Sequence, residues 1–377
     1  MKITLDTASL SRELFKLQGI VSSKTTVPIL QNALIEARSD GTLSFFATDL
    51  EATIISASAC ELGSPGRICL RAKEFYDAIK NLRTDKVTLE REDNLWVQLK
   101  AGTVRARLVG MDPDEFPKAP TTDDIVFTKV RTLSLLRMIE RTLFSVSTDQ
   151  GRPNLTGALV TLSPEGRLSM VSTDGHRLSM AEANIGLESL DVAPALVSGV
   201  IIPRKGLQEL RRTLDVTVEY VDFGISRNYA IFSYGETQLF LRLIDGSFPN
   251  VTQVVPEEKE ERKAYVGRAE LLDRIKFVSL FANPKTGNLR LAFEDDTCTI
   301  SAQDPDKGEC VESVPIAYKG PAVRAGFNYR YLIDVLSTVD GEQVSIEMID
   351  TLSPTVIHEL EGEDGEGSLF IVMPMRI

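Results

Sequence analysis

Apolar and polar residues alternate along much of this chain with a period of two. Lys2-Ile3-Thr4-Leu5-Asp6 opens it, and Val87-Thr88-Leu89-Glu90, Val216-Thr217-Val218-Glu219 and Val344-Ser345-Ile346-Glu347 carry the same pattern. That period marks half-buried strands. Stretches with helical spacing interrupt it: Phe75, Ile79 and Leu82 form one apolar stripe, and Leu207, Leu210 and Leu214 another. The pattern predicts six helices, near Ala8–Gly19, Ala72–Leu82, Val130–Phe144, Pro203–Leu214, Gly267–Ala282 and Phe327–Thr338. In the first third it predicts strands at Lys2–Asp6, Ala33–Arg38, Thr42–Ala47, Ala52–Ala59, Gly66–Leu70, Val87–Arg91, Leu95–Lys100 and Thr103–Val109. Trp96 reads as a strand core residue.

The pattern occurs in three copies. Asn32-Ala33-Leu34, Gly41-Thr42-Leu43-Ser44-Phe45 and Thr48-Asp49-Leu50 return as Gly157-Ala158-Leu159, Gly166-Arg167-Leu168-Ser169-Met170 and Thr173-Asp174-Gly175. A fainter third copy runs from Asn288-Leu289-Arg290-Leu291 to Ile300-Ser301-Ala302-Gln303-Asp304. The first two copies end alike, in Glu115-Phe116-Pro117 and Ser247-Phe248-Pro249. Polar linkers follow at Lys118–Asp124 and Pro256–Arg262. The expected fold class is therefore α+β: three similar domains at 1–122, 126–256 and 262–377, each with two helices on β-sheets, stacked as an arc or closed into a ring.

The length of 377 residues fits three domains, each able to bury its own core. No apolar run is long enough to span a bilayer, and the strand pattern begins at Met1. Cys60, Cys69, Cys298 and Cys310 lack metal-ligand spacing and read as reduced thiols in a cytoplasmic chain.

The net charge of −12 alone argues against a phosphate-binding partner. Its distribution reverses that argument. The six helical windows, the second taken with Arg71 and Arg83, carry +1, +2, +2, +3, +1 and 0. Together they hold +9, which leaves −21 elsewhere. Basic helices on an acidic body predict a shared surface facing a polyanion. With no helix-turn-helix, zinc motif or aromatic stacking stripe, contact would be with phosphates, independent of sequence.

Other chemistry is sparse. His176 and His358 are the two histidines, so a zinc site is not expected. Asp174 and His176, with Asp49, would suit an acidic hydrolase; the plainer reading of Thr-Asp-Gly is a polar turn closing a strand. No cofactor is implied. No G-x-G-x-x-G or P-loop occurs, so nucleotide hydrolysis is not expected. A protein-interaction scaffold whose basic faces are merely solvated is a further alternative.

Several peptides carry a resemblance: Pro28-Ile29-Leu30, Thr48-Asp49-Leu50-Glu51, Thr173-Asp174-Gly175-His176-Arg177-Leu178, Pro203-Arg204-Lys205-Gly206, Leu243-Ile244-Asp245-Gly246-Ser247-Phe248-Pro249, and the tail Val372-Met373-Pro374-Met375-Arg376-Ile377. In this order along the chain they resemble the bacterial sliding clamp family, the beta subunit of DNA polymerase III. The resemblance implies a head-to-tail homodimer that encircles duplex DNA. It also implies partners in the replicative polymerase, the clamp loader and other clamp-binding-motif proteins, no membrane, and no catalysis. It places DNA contacts at Lys24, Lys73, Arg204 and Lys205, and near Gln150 and Arg152. It places a partner-peptide cleft at Leu155, Thr173, Gly175, His176, Arg177, Leu178, Pro249 and Val254, faced by Val372, Met373, Pro374, Met375, Arg376 and Ile377. Gln253 and Ile377 depart from common family residues. The implied dimer interface sets Arg105, Arg107 and Leu108 against Leu280, Phe281, Asp306, Glu309 and Glu312, with Ala106 where the family has an aromatic residue.

Overall fold

The computed structural model describes every residue except 22–24, 123–124, 186–193, 227, 252–253, 257–258, 361–365 and 377. Lys24, Gln253 and Ile377 therefore lie outside the described residues. The chain forms two compact units. The first holds the described residues of Met1–Thr132 and Lys205–Leu243; the second holds those of Leu133–Leu190, Pro194–Arg204 and Ile244–Ile377.

Seven helices occur among the described residues: α1 (Thr7–Leu17), α2 (Ala72–Lys80), α3 (Thr132–Leu143), α4 (Pro194–Ser198), α5 (Arg204–Thr213), α6 (Arg268–Val278) and α7 (Tyr329–Thr338). Six match the expected ones. The short α4 was not legible, because five residues are too few to show a helical period. The helix expected to reach Ala282 ends at Val278 and tightens into a 3-10 turn at Ser279–Phe281. Asp6 caps α1 by accepting from the Ser9 N–H at 2.7 Å, and Asn328 caps α7 by accepting from the Arg330 N–H at 3.1 Å.

The first unit is built on one antiparallel sheet of 13 strands. Its central pairing joins the first two copies: Thr237–Arg242 runs against Ala52–Ala59, with Leu239 opposite Ile54. Ile54, Leu239 and Phe240 are fully buried there. Two departures from the sequence pattern lie in this unit. Glu61–Ser64 forms an edge strand against Lys2–Asp6, although its residues do not alternate. Val216–Glu219 is a turn, and the strand begins only at Tyr220. The Asp215 carboxylate accepts from both the N–H and the hydroxyl of Thr217, at 2.9 and 2.6 Å, and this Asx-type turn overrides the alternation.

The second unit has an eight-stranded and a four-stranded antiparallel sheet. Arg177–Asn184 pairs with Gly367–Val372, so the second copy and the C-terminal tail share one sheet. The large core under α6 and α7 includes Leu271, Ile275, Phe293, Phe327, Leu336 and Phe370. The third copy's faintness has a local cause. The first two copies turn through Gly41 and Gly166, at φ +85° and +80°, whereas the third turns through Asp295 and Asp296, at φ +47° and +57°. Two successive left-handed residues make a tight hairpin without the glycine that marks the other copies. Among the described residues, no helix is long and apolar enough to cross a membrane.

Candidate DNA contacts, partner groove and open strand edges

Lys73 is exposed on α2 and has no ion-pair partner among the described residues. It sits between two local pairs, Arg71–Glu74 at 3.5 Å and Lys80–Asp77 at 2.8 Å. Lys205, in the first turn of α5, is paired to Asp49. Arg204 is half-buried and donates to the Val146 carbonyl at 2.9 Å. Arg152 pairs with Asp149 at 2.9 Å and donates to the Asp174 carbonyl at 3.2 Å; Gln150 is exposed on the same turn.

Positive charge on the helices is not uniformly available, which corrects the expectation from charge counting. On α3, Arg141 is buried and chelated by Glu359, with Nη2 2.7 Å from Oε1 and Nε 2.9 Å from Oε2. Arg137 of the same helix lies 3.1 Å from Glu366. On α5, Arg212 donates to the Phe15 and Lys16 carbonyls, each at 2.7 Å, and so closes the C-terminus of α1. These arginines hold elements together. Periodicity places a charge on a helix face but does not reveal a carboxylate brought there from elsewhere in the fold.

The groove residues converge on the second unit. Met373 donates its N–H to the His176 carbonyl at 2.9 Å, and Met375 donates to Gly326 at 2.8 Å, which lays the tail along the turn after Thr173. Val171, Leu178, Val356, Leu369 and Ile371 form a buried apolar floor. Met180, Phe248, Val251, Val255 and Met373 cover it only in part. Leu155 and Val372 are buried, Thr173, Pro374 and Met375 are half-buried, and Gly175, His176, Pro249, Val254 and Arg376 are exposed. Phe248 belongs to a repeated peptide of which only Pro249 carries an expected groove role, and Val251 and Val255 lie outside every quoted motif; the apolar spacing after Ser247 is the signal the sequence offers for them.

Arg177 is locked in place beside this apolar floor. Its side chain is only 12% exposed and is held by Asp174 at 3.0 Å, Asp334 at 2.6 Å and the Phe144 carbonyl at 2.6 Å. Its guanidinium also lies over the Tyr331 and Phe144 rings, 4.4 and 5.3 Å from their centroids.

The Asp174 carboxylate is occupied by its own turn. It accepts from the N–H groups of His176 and Arg177, at 2.9 and 3.1 Å. Asp49 does the same for Glu51 and Ala52, at 3.0 and 2.7 Å. The Thr-Asp motif is thus an Asx-type turn in both copies, and the acid–base pair considered for Asp174 and His176 does not form.

The expected interface residues of the first and third copies lie along or beside open strand edges. Along Val104–Met111, the outer side pairs only at Gly110 and Met111, leaving Arg105, Arg107 and half-buried Leu108 unpaired on that side. Arg107 is ion-paired to Glu92 and lies 4.7 Å from the Trp96 ring centroid, so Trp96 is a half-exposed platform rather than the core residue expected. Gly308–Pro315 is the outer strand of the four-stranded sheet and carries Glu309, Glu312 and exposed Val311. Asp306 is exposed beside it, and Arg274 reaches Glu312 at 3.5 Å. Leu280 is 63% exposed, and Phe281 is half-buried against Phe277.

Similarity to known proteins extends over the whole chain. Models of the DNA polymerase III beta subunit match in chain order: the N-terminal domain at residues 1–120, the central domain at 129–250 and the C-terminal domain at 252–376. Beta sliding clamps of Caulobacter vibrioides and Pseudomonas aeruginosa are 32% and 30% identical, with both chains covered completely. A crystal structure of the DNA polymerase sliding clamp from Pseudomonas aeruginosa superimposes with a TM-score of 0.90 at 29% identity and full coverage of both chains. That from Bacillus subtilis gives 0.91 at 27%, covering 100% of this chain and 99% of the other. The chain belongs to the DNA polymerase III beta subunit family, the beta sliding clamps.

Proposed function

We propose that this chain works as a DNA sliding clamp through three surfaces of its own. It is a processivity factor without catalytic chemistry, and it tethers the replicative polymerase to duplex DNA. Its three domains, 1–122, 126–256 and 262–377, form half of a six-domain ring. Lys73, Arg204 and Lys205 meet phosphates, joined by Lys24 and the Gln150–Arg152 turn. The apolar floor beneath Met373 receives short motifs from the polymerase, the loader and repair partners. The ring acts on chromosomal DNA in the bacterial cytoplasm.

The observation that carries this reading is the pair of open, chemically opposite strand edges. Val104–Met111 presents Arg105 and Arg107, and Gly308–Pro315 presents Glu309 and Glu312. A basic edge of one protomer pairs with an acidic edge of the next. Such a heterologous contact, made twice, closes a ring of two. Substituting Arg105→Glu and Arg107→Glu should shift the protein to monomer in sedimentation. Adding Glu309→Lys and Glu312→Lys should restore dimer. A dimer unaffected by the first pair contradicts this interface.

A further inference from the structure

Arg290, Arg324 and Arg376 line one open pocket of the second unit, together with Leu352, Met375 and Gly326. All three arginines are exposed, and none has an ion-pair partner among the described residues. Arg290 stands opposite Gly326, and Arg324 lies two residues before Gly326 on the same strand. The two guanidinium stems are thus diagonal neighbours on one sheet face, about 7–8 Å apart. Met375 is bridged to Gly326, which brings the tail onto that face. Leu352 is 63% exposed, on a turn that the Asp350 carboxylate occupies by accepting from the Leu352 and Ser353 N–H groups, at 2.7 and 2.6 Å. Asp350 is thereby engaged. Glu309 shares a neighbouring hollow with Arg290 but does not line this pocket.

We infer that this pocket docks an acidic flank of a partner peptide, extended and carrying carboxylates at alternate positions. The inference rests on the groove reading above and adds a second recognition element to it. The tail supplies the continuity: Met373 packs on the apolar groove, and Met375 and Arg376 line the arginine pocket. A peptide leaving the groove along the tail meets the arginines next. Alternate residues of an extended peptide are about 6.7 Å apart, close to the spacing of the two stems. Exposed Leu352 beside the charges suits side chains of a peptide better than a sugar–phosphate chain. Each carboxylate–guanidinium pair is exposed, so the flank tunes affinity and selects among partners without replacing the apolar anchor.

The test uses the full chain and defined peptides. All share one Leu- and Phe-containing apolar half. One set carries three Asp-Ser repeats, the other three Asn-Ser repeats, and each is made with the flank at either end. In low salt, one acidic peptide should bind about fivefold tighter than its neutral counterpart. That advantage should vanish in Arg290→Ser/Arg324→Ser, whose substituted side chains are exposed, while the neutral peptides bind both proteins equally. Equal binding of acidic and neutral peptides overturns the inference, as does an advantage that survives in the variant. If no neutral peptide binds, the groove reading fails, and free Asp-Ser repeats then decide the pocket by the same variant. Single-stranded thymidylate binding that depends on both arginines, with no acidic-peptide preference, assigns the pocket to nucleic acid and also overturns it.

Discussion

Lys205 and Asp49 form an ion pair across 156 residues of sequence, and Asp49 is simultaneously the acceptor that shapes its own turn. The proposed phosphate contact is therefore held by a carboxylate before DNA arrives. Duplex DNA has to displace Asp49 to engage Lys205. Asp49→Asn keeps a side-chain acceptor for the turn but removes the competing charge. It should tighten binding to linear duplex about threefold in low salt and steepen the salt dependence by roughly one phosphate. An unchanged salt slope, measured by fluorescence anisotropy, would show that Lys205 does not meet phosphate.

Leu50 and Gly175 occupy the same position of the Thr-Asp turn in successive copies, at φ +76° and +91°. Leu50 holds this left-handed conformation against its own Cβ, and it is 52% exposed. Leu50→Gly should therefore stabilise the protein by about 0.5–1 kcal/mol. Gly175→Ala should destabilise it, since a Cβ there would also stand 2.9 Å from Arg152 Nη1. Urea unfolding midpoints of the two variants should move in opposite directions.

Arg141 and Glu359 have side-chain exposures of 8% and 5%. Arg141→Ala leaves a buried carboxylate unpaired and should cost about 3–5 kcal/mol in chemical denaturation. Arg141→Met combined with Glu359→Leu should recover much of that loss, although Glu359 also accepts from the Asp340 N–H at 3.0 Å. A small effect of Arg141→Ala alone would mean that the pair contributes little.

Burial pushes the Cys69 and Cys298 thiols up to about 12. The folded state therefore retains protons that the unfolded state releases near pH 9, so stability falls as pH rises from there towards 12. Cys69→Ala and Cys298→Ala should each flatten that fall. At neutral pH, iodoacetamide should modify the half-buried Cys60 and Cys310 before the buried pair. Early labelling of Cys298 would contradict this order.

His176 is exposed, whereas Arg177 is gripped from four directions. His176→Ala should weaken partner-peptide binding modestly and leave DNA retention unchanged. Arg177→Ala should weaken peptide binding at least about tenfold, because the turn beside Met373 loses its anchor. Arg177→Lys should not rescue it, since a single ammonium cannot replace the fork that reaches both Asp174 and Asp334.

Sequence periodicity located the strands and helices closely wherever local and tertiary preferences agree, as at Lys2–Asp6 and Ala52–Ala59. It failed where a side chain competes with the ladder: Asp215 draws Val216–Glu219 into a turn despite perfect alternation. Edge strand Glu61–Ser64 escaped notice because its register is fixed by Lys2–Asp6 rather than by a buried face. In the candidate site, motif peptides led to the groove rim, while its floor depends on Val356, Leu369 and Ile371 being brought under Leu178 by strand pairing. Charge counting overstated the free positive charge of α3, where Arg137 and Arg141 meet carboxylates from the last hundred residues, and of α5, where Arg212 closes α1 and Lys205 meets Asp49. No periodicity encodes such a meeting.

Topological retention tests the central claim most directly. Protein loaded onto nicked circular DNA should stay bound through a high-salt wash that removes phosphate contacts, and a single cut that linearises the circle should release it. Loss from the intact circle at the rate seen for linear DNA would contradict encirclement.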